Sequence, residues 1–333
     1  MKRIPVTILT GFLGSGKTTL LGALLAHPEF SNTALIVNEF GEVSIDHLLV
    51  ADLTENIIEL RDGCLCCTIR GDLVMTLRDL WHKRCLDEVP PFARVVIETS
   101  GLADPVPLVH TLMANAPLMT VFALDAVVCV VDALEAHATF ASEPLAASQA
   151  ALADIIVISK TDLAAPEEVA ALRTRLTTVN GGAEIIDAVG GDVAPTRLLD
   201  RALFQPAAGN GDLNAWLGAG NSTAQGHYHD HDHGAEFVAH VIRHAHPLSL
   251  AGTAVFLNRM VNELGDDILR IKGLAGFREK DGRPAVLHAV RNKFYPVEWL
   301  TAWPDRDHDS RLVFIGRHLD IRRIDELFAA LCV

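Results

Sequence analysis

The chain has 333 residues, half of them hydrophobic, and its 42 acidic residues outnumber 28 lysines and arginines, which gives a formal net charge of -14. A chain of this length can bury two cores, so we expect two domains. Nucleic-acid binding needs a positive surface that releases counterions from phosphates, and no basic cluster longer than Arg322-Arg323 stands out. No uncharged stretch reaches the roughly 18 residues of a membrane-spanning helix, and the first apolar run ends within about ten residues, too early for a signal peptide. These features argue against nucleic-acid and membrane partners and favour a cytoplasmic protein.

A glycine-rich motif, Gly11-Phe12-Leu13-Gly14-Ser15-Gly16-Lys17-Thr18, follows the apolar run 5–9 and precedes a helix-forming segment, 19–26. Glycine lets the backbone wrap without a Cβ clash, so successive N–H groups can face a polyphosphate at the helix N-terminus. In this pattern Lys17 reaches the β- and γ-phosphates, and the Thr18 hydroxyl coordinates Mg²⁺. An ordinary glycine turn is the alternative, but the full pattern between a strand and a helix favours a nucleotide. The predicted nucleotide-binding residues of this loop are Gly11, Gly14, Ser15, Gly16, Lys17, Thr18 and Thr19.

An acidic segment, Asn38-Glu39-Phe40-Gly41-Glu42, follows the second predicted strand, 33–37. The carboxyl ends of the strands in an open parallel sheet face the ligand crevice. Carboxylates beside a phosphate site repel the ligand unless a cation lies between them, so Glu39 and Glu42 are candidate metal ligands. The alternative is an ordinary solvated loop, and it is stronger for Glu42 than for Glu39.

Three of the six cysteines, Cys64, Cys66 and Cys67, lie close together after a short predicted strand, 56–60. Their spacing is not typical of a disulfide framework and indicates metal or redox chemistry in a reducing compartment. Thiolates suit Zn²⁺, Cu⁺ or Co²⁺ rather than Mg²⁺, and three of them leave one tetrahedral position open, as a transfer or sensing site requires. The alternatives are a buried cysteine cluster and a redox pair. Cys129, inside an apolar strand, is predicted to be a core residue.

The next predicted strand, 94–98, ends in Glu98-Thr99-Ser100-Gly101. An acidic residue at this position of a P-loop protein holds Mg²⁺, usually as Asp and often through water, and Glu98 has a longer arm for the same role. Gly101 would let a backbone N–H approach the γ-phosphate, which makes this segment a switch that relaxes on hydrolysis. Lys17, Glu98 and Gly101 are therefore the predicted catalytic residues. Asp104-Pro105 is predicted to cap the next helix.

Two further strands are predicted, 126–131 and 155–158, and the second of them is followed by Ser159-Lys160-Thr161-Asp162. A carboxylate such as Asp162 can accept hydrogen bonds from N1–H and the 2-amino group of guanine, which adenine cannot offer together, and this favours GTP. The stem of Lys160 would lie over the purine face. The familiar GTPase pattern has Asn where this chain has Ser159, so the support of the phosphate loop by that residue is in question. The alternative is a polar strand exit that caps the helix predicted from Pro166.

A segment from 206 to 234 is rich in Gly, Asn, Ala and Ser and lacks periodicity, which predicts a flexible linker. It contains alternating histidines that can chelate a divalent cation without a preformed pocket, or else form a solvated polar tract. These histidines are His227, His229, His231 and His233. The predicted domains are a P-loop domain, 1–205, this linker, 206–234, and a smaller α+β domain, 235–333. The predicted fold class is α/β, a P-loop NTPase with a mostly parallel sheet of about six strands flanked by helices.

These motifs together resemble those of the CobW-type metallochaperone GTPases, which are relatives of the nickel-handling GTPases that mature hydrogenase and urease. The resemblance covers essentially the whole chain, and the run Gly63-Cys64-Leu65-Cys66-Cys67 between two switch segments is its most specific mark. It implies slow GTP hydrolysis coupled to the handling of Zn²⁺ or Co²⁺, with Cys64, Cys66 and Cys67 in the metal motif and a client metalloprotein as recipient. The family also includes proteins tied to cobalamin synthesis and to nitrile hydratase activation, so the client stays open.

The sequence therefore predicts that GTP and Mg²⁺ order the segments carrying Glu39 and Glu98 and thereby bring the cysteine motif into a metal-binding geometry. Hydrolysis then loosens the site and releases the metal, and a nucleotide- or metal-dependent homodimer is compatible with this scheme. A small-molecule kinase or ligase and a non-catalytic metal buffer or sensor are the alternatives. The guanine motif and the clustered cysteines argue against the kinase, and the complete phosphate loop argues against the buffer.

Overall fold

The computed structural model describes residues 3–37, 58–60, 69–200, 217, 237–265, 267–304 and 306–332. Several predicted metal ligands lie outside these described residues, namely Glu39, Glu42, Cys64, Cys66, Cys67, His227, His229, His231 and His233. Contacts between Cα atoms divide the chain into two compact units. The first comprises Met1–Thr174 with Glu184–Phe204, and the second comprises Arg175–Ala183 with Gln205–Val333.

A parallel sheet forms the centre of the first unit. Its described strands are β1 (Ile4–Thr10), β2 (Thr33–Val37), β3 (Ile58–Leu60), β4 (Arg94–Glu98), β5 (Phe122–Asp132), β6 (Ile155–Ser159) and β7 (Glu184–Ala188). They lie in the order β3-β2-β4-β1-β5-β6-β7, and every neighbouring pair is parallel. The predicted α/β class with a P-loop sheet is confirmed.

Helices accompany these strands along the chain. Those of the described residues are α1 (Lys17–Leu25), α2 (Ile69–Cys85), α3 (Val106–Ala114), α4 (Ala116–Val121), α5 (Ala136–Ser142), α6 (Pro144–Leu152) and α7 (Pro166–Val179). Leu73, Leu77 and Leu80 recur at helical spacing in α2 and are fully buried, as that spacing predicts. Helices α3, α4 and α6 pack against β5. No helix in the described ranges combines the length and apolarity needed to cross a bilayer.

Two features of the strands, their burial and their order, explain why the phosphate loop lies at the middle of this sheet. All residues of β5 and β6 are buried, as expected for parallel strands that are covered on both faces. Strand β1 lies between β4 and β5, and the chain continues to β2 on one side and later to β5, β6 and β7 on the other. The loop after β1 therefore leaves the sheet at the point where the strand order reverses, which is where ligands bind in such sheets.

The second unit contains an antiparallel sheet. Its described strands are β8 (Phe237–His244), β9 (Ile268–Phe277), β10 (Arg283–Val290), β11 (Lys293–Phe294), β12 (Glu298–Trp299) and β13 (Ser310–Arg317), and its described helices are α8 (Leu250–Leu264) and α9 (Ile321–Leu331). The strand order is β11-β10-β9-β13-β8, with β12 paired to β10. This arrangement confirms the predicted smaller α+β domain.

Helices α8 and α9 contact each other and contribute to one hydrophobic core with the sheet. Phe256 of α8 meets Phe314 and Phe328 edge-to-face, with ring centroids 5.9 and 5.7 Å apart. Both helices begin at a side-chain cap. Ser249 accepts a hydrogen bond from the third N–H of α8, and Asp320 does the same for α9.

Buried cations lie on β9 beside a buried histidine of β10. Arg270 and Lys272 are each 1% exposed, and Lys272 pairs in register with His288. The Arg270 Nε–H donates to His288 Nε2 at 3.2 Å, so the imidazole acts as an acceptor there. Burial, followed by the charges of Arg270 and Lys272, holds the pKa of His288 well below 6.5. Folding therefore keeps this histidine neutral.

We predict that the second unit loses stability in mild acid because of His288. An unfolded histidine takes up a proton below about pH 6.5, whereas the folded one does not, so the stability present above that pH is lost as the pH falls. The loss increases as the pH falls further below that value. Hydrogen exchange of the β9 and β10 amides at increasing urea, at about pH 7 and about pH 5, measures it. An equal acid-induced loss in His288→Gln would contradict the assignment.

Candidate nucleotide-binding site

The phosphate loop, residues 11–18, joins the end of β1 to α1 through three glycines in the left-handed region. Their φ angles are 141° at Gly11, 71° at Gly14 and 95° at Gly16. A Cβ built on Gly11 would lie 2.3 Å from the carbonyl oxygen of Val130. No other residue can occupy this position without moving β5, so the loop is held close to that strand.

Free backbone N–H groups of this loop form an anion-binding turn. Within the described chain, the N–H groups of Leu13, Gly14 and Gly16 have no hydrogen-bond acceptor. Helix α1 starts at Lys17, and among the described residues it has neither a side-chain cap nor an acidic residue in its first turn. Unpaired N–H groups and the positive end of the helix dipole together favour a polyphosphate at this position.

Lys17 lies on the inner side of the loop. Its side chain is buried, and Nζ donates to the carbonyl oxygens of Gly11 at 2.8 Å and Phe12 at 3.1 Å. The ammonium is therefore held within the turn that carries the unpaired N–H groups. Thr18 and Thr19 follow on the first turn of α1, where Thr18 is half-buried and Thr19 is exposed. The structure thus assembles the predicted phosphate-binding residues in one loop.

The buried Glu98 ends β4 directly beside β1. It pairs in register with Leu9, and the next residue, Thr99, donates its N–H to the Leu9 carbonyl at 2.9 Å. The Thr99 hydroxyl also donates to Thr10 Oγ1 at 3.0 Å. These contacts attach the segment after β4 to the strand that carries the phosphate loop. The Glu98 carboxylate and the Thr18 hydroxyl offer oxygen ligands, which are the type that Mg²⁺ prefers.

Gly101 touches the phosphate loop. A Cβ built on it would lie 2.7 Å from the backbone nitrogen of Leu13, so a side chain here would displace the loop. Its own N–H has no acceptor among the described residues. Gly101 therefore keeps an N–H available next to the phosphate loop.

Further along, Asp104 Oδ1 accepts a hydrogen bond from the Val106 N–H at 3.0 Å and caps α3, as predicted.

Ser159 supports the phosphate loop. Its hydroxyl lies 2.6 Å from the Ser15 carbonyl oxygen and 3.3 Å from that of Val131, and the shorter contact is the better hydrogen bond. The residue is buried. The sequence left open whether serine could provide this support, and the contact to Ser15 answers that question.

Lys160 joins the guanine motif to the same loop by a second contact. Its Nζ donates to the Gly14 carbonyl at 3.0 Å and to Asp132 Oδ2 at 2.5 Å. Asp132 is the last residue of β5, and its role as the partner of Lys160 escaped the sequence analysis. The sequence feature that could have revealed this role is an acidic residue at the end of an apolar strand. Asp162 lies exposed after β6, with its carboxylate accessible to a ligand.

A cavity of about 300 Å³ adjoins the loop and is lined partly by Phe12, Leu13 and Phe140. Cys129 of β5 also lines it and is 1% exposed. Burial raises the pKa of the Cys129 thiol to about 12, while the charge of Lys17 acts in the opposite direction. The thiol stays protonated at neutral pH and is a core residue, as predicted.

Metal sites built from protein side chains alone are not found in the part of the chain that the structure describes, where no three His, Cys, Asp or Glu residues are grouped to hold an ion. Of the predicted metal ligands, only Thr18 and Glu98 belong to the described residues. They come from the loop after β1 and from the end of the adjacent β4. Such a pair suits a cation that is completed by phosphate oxygens and water.

The sequence of the chain matches two known domain families. Residues 5–187 match the family described as CobW/HypB/UreG, nucleotide-binding domain, and residues 237–332 match the cobalamin synthesis protein cobW C-terminal domain. The chain is similar to the zinc chaperone YjiA of Escherichia coli K12, at 32% identity over 99% of both chains. It is also similar to the zinc chaperone CobW of a Sinorhizobium species, at 31% identity over 95% of this chain and 93% of the relative.

Among solved structures, the Zn(II)-bound YjiA GTPase from E. coli has a TM-score of 0.77 and 29% sequence identity, with 99% of each chain covered. Its likeness extends over both units of the chain. The phosphate loop, the contacts that hold it and these matches lead to one assignment. The chain belongs to the CobW/HypB/UreG family of P-loop nucleotide-binding proteins.

Proposed function

We propose that the protein is a GTP-hydrolysing metallochaperone that binds Zn²⁺ at Cys64, Cys66 and Cys67 and transfers it to a client protein under nucleotide control. The position of β3 is the observation that carries this proposal. Strand β3 runs parallel to β2, so its carboxyl end at Leu60 lies at the same edge of the sheet as the phosphate loop. The chain reaches Cys64 shortly after leaving that edge. The names of the relatives, two of them zinc chaperones, support the choice of metal.

In this proposal the described residues bind the phosphates, the metal ion and the base of GTP. Lys17 neutralises charge on the β- and γ-phosphates, and the Gly101 N–H donates to the γ-phosphate. Thr18 and Glu98 would hold Mg²⁺, which when bound would offset the negative charge that develops in phosphoryl transfer. Asp162 selects guanine by accepting hydrogen bonds from N1–H and the 2-amino group.

Coupling between nucleotide and zinc follows from neighbouring strands. Glu98 of β4 pairs in register with Val37 of β2, and Glu39 comes two residues after Val37. Strands β4 and β2 therefore end together, at Glu98 and Val37, at the edge of the sheet where β3 also ends, and Glu39 and the cysteine motif follow β2 and β3 in the sequence. GTP and Mg²⁺ order these segments and tighten the metal site, and hydrolysis releases it. By linkage, Zn²⁺ tightens GTP binding by the same factor.

Other functions would use some of the same residues. Thiolates also bind Co²⁺, which would suit an accessory GTPase of cobalamin synthesis or of nitrile hydratase activation. A non-catalytic metal buffer or sensor would use the cysteines without the nucleotide. The histidines of the linker, from His227 to His233, would capture divalent cations for the cysteine site. A homodimer that forms with nucleotide or metal, in the cytoplasm, fits the same scheme.

We predict that Zn²⁺ binds at least about tenfold more tightly in the presence of a non-hydrolysable GTP analogue than with GDP, because the γ-phosphate orders the segments around the cysteines. Competition against a chelating zinc indicator measures both affinities. Lys17→Ala should remove this difference. Cys66→Ala should weaken zinc binding with either nucleotide while leaving GDP binding unchanged. Equal zinc affinities in the wild type with the analogue and with GDP would defeat the coupling and favour a simple buffer.

We predict that Ser159→Ala lowers the affinity for GDP by about three- to tenfold, since it removes a hydrogen bond to the phosphate loop whose net contribution is about 1 kcal/mol. Isothermal titration gives the affinity. Ser142→Ala is the matched control, because among the described residues its exposed hydroxyl bonds only to the Ala138 carbonyl of its own helix. Unchanged GDP binding in Ser159→Ala would show that this contact does not support the loop.

A further inference from the structure

A buried glutamine of α6 holds the segment that follows β4. Gln149 is 0% exposed, and its Nε2 group donates to the carbonyl oxygens of Ala103 at 3.0 Å and Gly101 at 3.3 Å. Both partners are acceptors, so the amide nitrogen must face the segment, and this fixes the orientation of the side chain.

Among the described residues, the other hydrogen bonds of residues 99–103 are local or lead to the neighbouring strand β1. The Ala103 N–H donates to the Ser100 carbonyl at 3.0 Å, and the Thr99 N–H donates to Leu9 of β1. Among the described residues, Gln149 provides the side-chain contacts that fasten Gly101 and Ala103 to an element outside the segment. The position of Gly101 therefore depends on α6 as well as on β1.

From this geometry we infer that Gln149 is a positioning residue for GTP hydrolysis. It holds the Gly101 carbonyl from one side while the Gly101 backbone rests against Leu13 on the other, where a Cβ would come within 2.7 Å of the Leu13 nitrogen. The carbonyl and the Cα of Gly101 are thus both restrained, and this also holds the Gly101 N–H, which belongs to the peptide group shared with Ser100, beside the phosphate loop. This inference rests on the proposed role of the Gly101 N–H at the γ-phosphate.

The second end of the same amide supports this role. Gln149 Oε1 is buried and accepts no hydrogen bond from any described residue. A buried acceptor without a donor destabilises a core, and an apolar side chain of similar size would avoid that cost. A purely structural role therefore does not account for an amide here, whereas donation to two carbonyls of the γ-phosphate segment does.

The test replaces Gln149 by Met, which keeps the volume and removes both donors. For the full-length chain with Mg²⁺, we expect kcat for GTP hydrolysis and the affinity for a non-hydrolysable GTP analogue to fall about tenfold, with GDP affinity within about twofold of the wild type. GDP lacks the γ-phosphate that the positioned N–H would meet. Ala150→Gly, the next residue of α6, is the control, since it should lower the unfolding midpoint without changing the ratio of the two affinities.

A second variant, Gln149→Glu, keeps the inference testable if the methionine variant folds poorly. A carboxylate cannot donate, so the analogue should again bind more weakly than GDP, and protonation of the acid restores one donor. The kcat of Gln149→Glu relative to the wild type should therefore rise as the pH falls. Equal losses for GDP and the analogue, or no loss for either, would overturn the inference. A wild type that fails to hydrolyse GTP would instead overturn the proposed function.

Discussion

The architecture of the site depends on one close approach of backbone to backbone. At Gly11 the chain passes so near the Val130 carbonyl that a Cβ would lie 2.3 Å from its oxygen. This approach lets β1 stay paired between β4 and β5 and still turn directly into α1. The turn points N–H groups away from the sheet at the position where the strand order reverses. A glycine is thus the reason that an anion site stands at the centre of this sheet.

Hydrogen bonds from separate strand ends then fix the loop in place. Thr99, after β4, reaches Thr10, while Ser159 of β6 reaches Ser15, and Lys160 reaches Gly14. The segments assigned to the γ-phosphate, the phosphate chain and the base are therefore tied to one another by short polar contacts. A movement in any one of them must be accommodated by the loop, which is the property that a nucleotide-controlled protein requires.

The pattern of residues predicted most of the fold because its strands are apolar runs bounded by turn residues. Strands β2 and β4 have the predicted limits. Strand β5 extends beyond its predicted start to Phe122, since it includes the buried Asp125, which the hydroxyl of Thr7 contacts at 3.3 Å. The two-residue strands β11 and β12 are too short to show a period, so they were not predicted.

Motifs likewise predicted the residue types of the site but not how they are held. Gly101 lies against the phosphate loop and Glu98 ends the strand beside β1, because the segments that carry them follow parallel strands at the same edge. The partners of Ser159 and Gln149 lie far away in sequence, and their contacts depend on the strand order and on the placement of α6. Local periodicity in the sequence indicates neither the strand order nor the placement of α6. These contacts could therefore not be predicted from the sequence.

The start of α1 also bears on the stability of the folded protein. Ser249 and Asp320 cap α8 and α9 with their own side chains, whereas α1 begins, within the described residues, with no such cap. A phosphate group on its first N–H groups would serve as that cap. A bound nucleotide would then stabilise the folded state and slow its unfolding and its cleavage by proteases.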